Sequence, residues 1–239
     1  MRFYTLPPKE IKWPYILINA NNPNKGINYI LAHKPKSVII DSGVEIFRNS
    51  HIKDYPPNHI YRLIYLFKLV RKYVNEVWVT VPDYPDDYHP KALWINGKDN
   101  IQRTVENVIK YVDEYPEVSW LIPIQGHNED PLSVMKSISA YEELGILDRF
   151  EYFAIANLCV SKKLSTIVKT VNAVYLQIPN KKLHAFGISL SAVKRLRGKL
   201  FSFDSMAWTF PRKSGGHSCK NEEERKVYFY AYVSRINGG

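Results

Sequence analysis

The amino-acid sequence predicts a (β/α)8 TIM-like barrel folded as one compact domain over residues 1–239, and three observations predict it. Seven short apolar runs rich in β-branched and aromatic residues alternate with stretches of helical periodicity, the pattern of a parallel sheet built from right-handed crossovers. The 239 residues come close to the roughly 250 that such a barrel usually takes. No Gly-x-Gly-x-x-Gly turn follows the first run, so the alternative, an open doubly wound sheet, lacks its commonest signature. No repeat, low-complexity tract or Gly/Ser linker marks an internal boundary.

In chain order, the buried strands are expected at residues 15–19, 37–41, 76–82, 118–125, 150–157, 183–187 and 200–204. The connecting segments supply the helices. Ile60, Leu63, Phe67, Val70 and Val74 recur at three- and four-residue spacing, while Arg62, Lys68, Arg71 and Lys72 fall mostly off that stripe, which makes an amphipathic helix. Residues 100–115 and 131–144 follow the same logic. A helix over 191–198 would open on a serine cap and close on Gly198, and a polar start predicts a last helix over 221–236. An eighth strand is not obvious and is expected after Trp208.

No apolar run approaches the roughly 20 residues that span a bilayer, and the opening residues lack the apolar stretch of a signal peptide. A soluble, cytoplasmic protein is expected, without a membrane partner. Cys159 and Cys219 are the only cysteines, too few and too far apart for a disulfide framework or a zinc pair, so neither a metal nor another cofactor is expected. Charge is distributed unevenly. Residues 160–239 hold 15 basic and 4 acidic side chains, against 18 and 19 in the preceding part. Such an excess suits a polyanion such as nucleic acid, although a generically basic surface would look the same.

Nearly every predicted strand ends in a polar side chain able to do chemistry: Asp41, Asp83, Gln125, Asn157, Ser189 and Asp204. In a parallel barrel these ends open onto one face, where residues distant in sequence converge into an active site. Taken singly, each is an ordinary loop starter or cap. Asp41 and Asp204, however, follow mostly apolar residues and sit at the edge of a core. Two such carboxylates suit chemistry at a glycosidic bond, one as nucleophile and one exchanging protons.

Five segments then resemble, in order, the motifs of the tRNA-guanine transglycosylase superfamily. Asp41-Ser42-Gly43 is similar to its Asp-Ser-Gly-Gly, and Val81-Pro82-Asp83 to its acidic strand end that reads the base. Residues 122–126, ending in Gln125-Gly126, resemble its Val-Gln-Gly. The run from Ala154 to Val160, with Asn157 and Leu158 at its centre, resembles its Ile-Gly-Gly-Leu-Ala-Val, and Leu200 to Ser205 resembles the strand that carries its nucleophile. The order and rough spacing hold from about residue 37 to 212.

The resemblance implies an enzyme that exchanges guanine in a nucleic acid for a free 7-deazaguanine base. Asp204 would be the nucleophile and Asp41 the general acid/base. Substrate contacts would come from Asp83 and Gln125 on the purine's polar edges, from Phe186, beside Gly187, against its face, and from Ser42, Gly43, Gly126, Asn157 and Leu158 around it. The sequence also departs from the family. Val44 replaces the second glycine, Glu45 stands where an aromatic stacks on the base, with Phe47 as its substitute, and Ala156-Asn157 replaces a glycine pair. The three cysteines and histidine of the family's zinc subdomain have no counterpart, and the accessory RNA-binding domain is absent. Those losses favour DNA slightly over tRNA as the polymer.

Two other readings are a nucleic-acid-binding barrel without catalysis and a glycosidase that releases the base to water. Asp86, Asp87 and His89 read as a solvated turn, His127 either as a side chain lining the mouth of the pocket or as a surface side chain, and the segment with Gly215-Gly216, His217 and Cys219 as a polar loop. A phosphate track is expected from Lys194, Arg195, Arg197, Arg212 and Lys213, with Lys162-Lys163 and Lys181-Lys182 as further candidates. Trp208 and the 17 tyrosines are candidate wedges for opening a duplex, with none singled out.

Overall fold

A computed structural model describes residues 1–128, 130–159, 163–209 and 221–238. Eight parallel strands alternate with helices in a nearly closed barrel. The strands are β1 (Arg2–Tyr4), β2 (Tyr15–Asn19), β3 (Ser37–Asp41), β4 (Glu76–Thr80), β5 (Trp120–Ile124), β6 (Tyr152–Ile155), β7 (Lys182–Ala185) and β8 (Ser202–Asp204). Their order around the sheet is β1-β8-β7-β6-β5-β4-β3-β2. Thr5 closes the ring: its N–H donates to the Tyr15 carbonyl at 3.2 Å, and its own carbonyl accepts from Leu17 N–H at 3.4 Å.

The eighth strand therefore comes from the start of the chain and not from the region after Trp208. Arg2, Phe3 and Tyr4 pair in register with Ser202, Phe203 and Asp204. Three residues carry too little periodicity to announce a strand; stacking of Phe3 on Phe203, 5.1 Å between centroids, fixes the pairing from a distance. Trp208 lies in a 3-10 turn, Ala207–Thr209, where its indole N–H donates to Thr5 Oγ1 at 2.9 Å. Its ring is buried against Phe229 of the last helix, so it is a core residue and not a wedge.

The helices are α1 (Asn24–His33), α2 (His59–Val70), α3 (Asn100–Glu114), α4 (Val134–Glu143), α5 (Ile146–Arg149), α6 (Leu164–Gln177), α7 (Leu190–Arg195) and α8 (Glu222–Asn237). Helix α3 starts on a capping box in which Asp99 accepts from Gln102 N–H and Gln102 answers the Asp99 N–H. Helix α7 starts earlier than its sequence suggests, because Ser189, not Ser191, is the cap: its Oγ accepts from Ala192 N–H. Helices α1 and α6 are not among those singled out by periodicity.

Two apolar clusters follow from the two-residue alternation of the strands. Ile16, Ile18, Val38, Ile40, Val77, Val79, Ile122, Ile124 and Phe203 point outward into the layer beneath the helices. Tyr4, Ile39, Leu121, Tyr152, Ala154 and Phe186 fill the inside of the barrel. Strands buried on both faces read as continuous apolar runs, which is why the alternation is invisible in composition. It nevertheless decides where the chemistry sits. Asp41 is two residues beyond Ile39, and Asp204 two beyond the inward-facing Ser202, so both carboxylates inherit the interior phase at the strands' C-terminal ends.

Candidate active site

Asp41, Asp83, Asp87, Tyr88, Asn157, Phe186 and Asp204 line one cavity at the C-terminal mouth of the barrel, together with Val44, Pro85, Ala156 and Cys159. A wider, open trough shares Asp41, Val44, Tyr88, Cys159 and Asp204 with it, and is lined farther out by Lys25, Arg48, Gly187 and Ser189. The strands thus bring together the two carboxylates that the sequence singles out.

Asp204 ends β8. Its Oδ1 accepts from the Gly187 N–H at 2.9 Å and from His184 Nε2 at 3.3 Å. Gly187 makes this possible because its φ of +61° turns the backbone just after β7, and a Cβ there would lie 2.8 Å from Cys159 Sγ. Only glycine fits that turn without displacing the thiol. His184 is fully buried, and its Nδ1 lies 2.7 Å from Ser202 Oγ, which in turn meets the Tyr152 hydroxyl.

Asp41 ends β3. One oxygen accepts a long bond from Gly43 N–H at 3.4 Å. Burial pushes its carboxyl up to about 8, and the like charges of Glu45, Asp83 and Asp204 push the same way. Near neutral pH it therefore carries a proton. Asp83 is fixed on both oxygens: Oδ1 accepts from Ser42 Oγ at 2.9 Å, and Oδ2 from Gln125 Nε2 at 3.2 Å. Burial raises it to about 7, against the Ser42 hydrogen bond that lowers it. Ser42 is held in turn by His59, whose Nε2 lies 2.7 Å from the Ser42 carbonyl.

The other expected substrate contacts divide. Phe186 and Asn157 line the cavity, the latter in the left-handed conformation at φ +60° that asparagine tolerates better than most side chains. Gln125 is fully buried behind Asp83 and reaches the cavity through it. Gly126 packs under α4, where a Cβ would meet Val134 at 2.9 Å. Leu158 belongs to the layer between strands and helices and does not face the cavity. Gly43, at φ +86°, shapes the turn after Asp41 and abuts Asn21. Phe47 is buried with Tyr84 and Leu93 and offers no stacking surface; the cavity's aromatic rings are Tyr88 and Phe186.

Asp86 and Asp87 are buried, contrary to the solvated turn expected of them. Asp86 accepts from Lys91 N–H at 2.6 Å and from Asn128 N–H at 3.0 Å, which folds the loop onto the barrel mouth. Asp87 accepts from Cys159 N–H at 3.2 Å and faces the cavity. The signal was in the sequence, since an Asp/Pro-rich loop directly after a strand falls on the active face. His127 pairs with Asp99 at 2.9 Å instead of lining the cavity.

Of the expected phosphate track, Lys194, Arg195 and Arg197 line neither the cavity nor the trough. Helix α7 begins at the trough with Ser189 and runs back along the barrel, so Lys194, Arg195 and Arg197 lie toward its far end. The Arg197 guanidinium donates to the Ile236 carbonyl of α8. Lys181 is engaged with the carbonyls of Leu147 and Phe150, and Lys182 with Glu151. Arg212, Lys213, Lys162, His217 and Cys219 lie outside the described residues. Among the described residues, Lys25 and Arg48 are the cations that line the trough. Among the described residues, no group of three or more His, Cys, Asp or Glu side chains is placed to hold a metal ion, and no helix is long and apolar enough to cross a membrane. No family model matches the chain, and neither does any curated protein.

Proposed function

We propose that the chain is a nucleic-acid guanine transglycosylase that exchanges guanine for a 7-deazaguanine base, with DNA favoured over tRNA as the polymer. The observation that carries the reading is the pairing, in one cavity, of Asp204 anchored through a single oxygen with Asp41 holding a proton near neutral pH. The order of the five resembling segments supplies the substrate class.

In this reading, Asp204 attacks C1′ of a nucleotide turned out of its stack. The C1′–N9 bond breaks, and Asp41 gives its proton to the departing guanine. The incoming base then attacks C1′ through its own N9, its proton passes to Asp41, and the C1′–Asp204 bond breaks. Asp83 accepts from donors on the base edge, since a carboxylate fixed by Ser42 and Gln125 still has lone pairs to offer. A buried acceptor of this kind rejects bases without the matching donors by large factors. Turning the nucleotide out costs a few kcal/mol in a duplex, least where the strand is already single.

The test is incubation with labelled guanine and either DNA or tRNA. Label entering DNA supports the reading as stated, and label entering only tRNA replaces the polymer. Guanine released without incorporation makes the protein a hydrolase. Binding of either polymer with neither reaction leaves a barrel without catalysis.

A further inference from the structure

Among the described residues, His184 is the one buried imidazole that touches a proposed reacting group, and neither the sequence motifs nor the mechanism above assigns it work. It lies on β7 inside the barrel, next to β8. Its Nε2 is 3.3 Å from Asp204 Oδ1, the same oxygen that accepts the Gly187 N–H at 2.9 Å. Its Nδ1 is 2.7 Å from Ser202 Oγ, and Ser202 meets the Tyr152 hydroxyl behind it. His184, Ser202 and Tyr152 are all buried.

The hydrogen bonds of this chain run in one direction. A carboxylate oxygen can only accept, so the proton of the His184–Asp204 contact sits on Nε2. Nδ1 is then the acceptor for the Ser202 hydroxyl hydrogen, and Ser202 Oγ accepts from Tyr152. The series Tyr152 to Ser202 to His184 to Asp204 is thus a set of donors stacked toward Oδ1. No donor among the described residues meets the other oxygen, Oδ2.

We infer that His184 is a positioning residue that makes Asp204 a good leaving group. The inference rests on the transglycosylase reading above. With Oδ1 held by two donors, Oδ2 forms the bond to C1′, and in the covalent intermediate Oδ1 becomes the acyl carbonyl oxygen. When the second base attacks, the C1′–Oδ2 electron pair returns to the carboxylate and negative charge develops on both oxygens. Two fixed donors at Oδ1 stabilise that charge as it forms, the arrangement an oxyanion hole uses. The same donors temper the nucleophile in the first step, so the gain lies in resolving the intermediate.

The experiment compares wild type, His184→Phe, His184→Gln and Ser202→Ala in exchange of labelled guanine, with covalent complex read on denaturing gels. Expected for His184→Phe is a kcat about 100-fold lower, the loss typical of one such donor, with KM for the nucleic acid falling as well and covalent complex accumulating. His184→Gln, whose amide hydrogen can reach Oδ1, recovers part of the rate. A folded His184→Phe protein with wild-type kcat, or with a lower kcat and no accumulation, overturns the inference. If His184→Phe does not fold, Ser202→Ala carries the test: a lower kcat with accumulation supports the inference, and an unchanged kcat overturns it. Absence of exchange by the wild type on both polymers overturns the underlying reading instead. The arrangement itself is checked without substrate by 15N spectra of wild type and Ser202→Ala. A wild-type His184 protonated on Nε2 and bare on Nδ1 supports the chain of donors, and the reverse tautomer overturns it.

Discussion

Asp41 and Asp204 occupy equivalent places at the ends of β3 and β8, yet their surroundings prepare them for different work. Asp204 is held by donors, whereas Asp41 has one long bond and three neighbouring carboxylates. Replacing Asp204 by Asn removes the charge and hardly any volume, so exchange should vanish while nucleic-acid binding changes little, as gel-shift titration would show. Asp41→Asn should depress exchange by a few orders of magnitude, general acid–base catalysis being worth about 100- to 10,000-fold. In wild type the proton on Asp41 is lost above about pH 8, so the step that expels guanine should slow there. The stability effect has a definite sign. Between the ordinary value of 3.8 and about 8 the folded state binds a proton that the unfolded chain has released, so wild-type stability declines as pH rises through that window. Asp41→Asn is free of this decline, and its melting temperature relative to wild type should rise from pH 4 to pH 8 and then level off. Both carboxylates were legible in the sequence because they end apolar runs. His184 was not, because a single histidine inside a four-residue strand reads as core until its neighbour across the sheet is known.

The strands β2 and β3 match the sequence expectation residue for residue, since the apolar runs over residues 15–18 and 38–40 bounded by polar residues leave little freedom. Strands expected to run to residues 82, 157 and 187 stop two residues short, and the one expected to reach 125 stops one short, as the chain bends at the mouth to form the site. β1 escaped because pairing, not local pattern, makes it a strand. Its contribution can be measured: Phe3→Ala, at a buried ring stacked on Phe203, should cost about 3–5 kcal/mol in denaturant unfolding. The turn between β7 and α7 is equally constrained. Gly187→Ala places a methyl against Cys159 Sγ in a backbone conformation costing of order 1–3 kcal/mol for other residues. It should lower both the melting temperature and the exchange rate, because the Gly187 N–H that holds Asp204 must move with the turn.

Across the whole molecule, the basic excess of the last third is legible in the sequence, but its direction is not. Charge counts carry no geometry, and α7 takes its cations away from the mouth while Lys25 and Arg48, from the charge-balanced part of the chain, line the trough. Each phosphate neutralised on duplex DNA contributes about −0.9 to the logarithmic salt slope. Lys25→Ala with Arg48→Ala should therefore make the slope shallower by about 1–2, and Lys194→Ala with Arg195→Ala should leave it unchanged. The opposite result would place the polymer along the flank of the barrel. The closure of the barrel has a consequence for how the protein is made. Thr5 bonds to the carbonyl of Ser205 across a separation of 200 residues, and Tyr4 lies in register with Asp204, so the barrel's first strand waits for its last. Until β8 is synthesised, β1 has no partner on that side, and Phe3 and Tyr4 remain exposed. So large a loop closure slows folding, and it makes acquisition of the nucleophile's strand and completion of the ring one event. A nascent chain lacking its final third should bind chaperones through that open seam, and the seam should seal only once translation has passed the nucleophile.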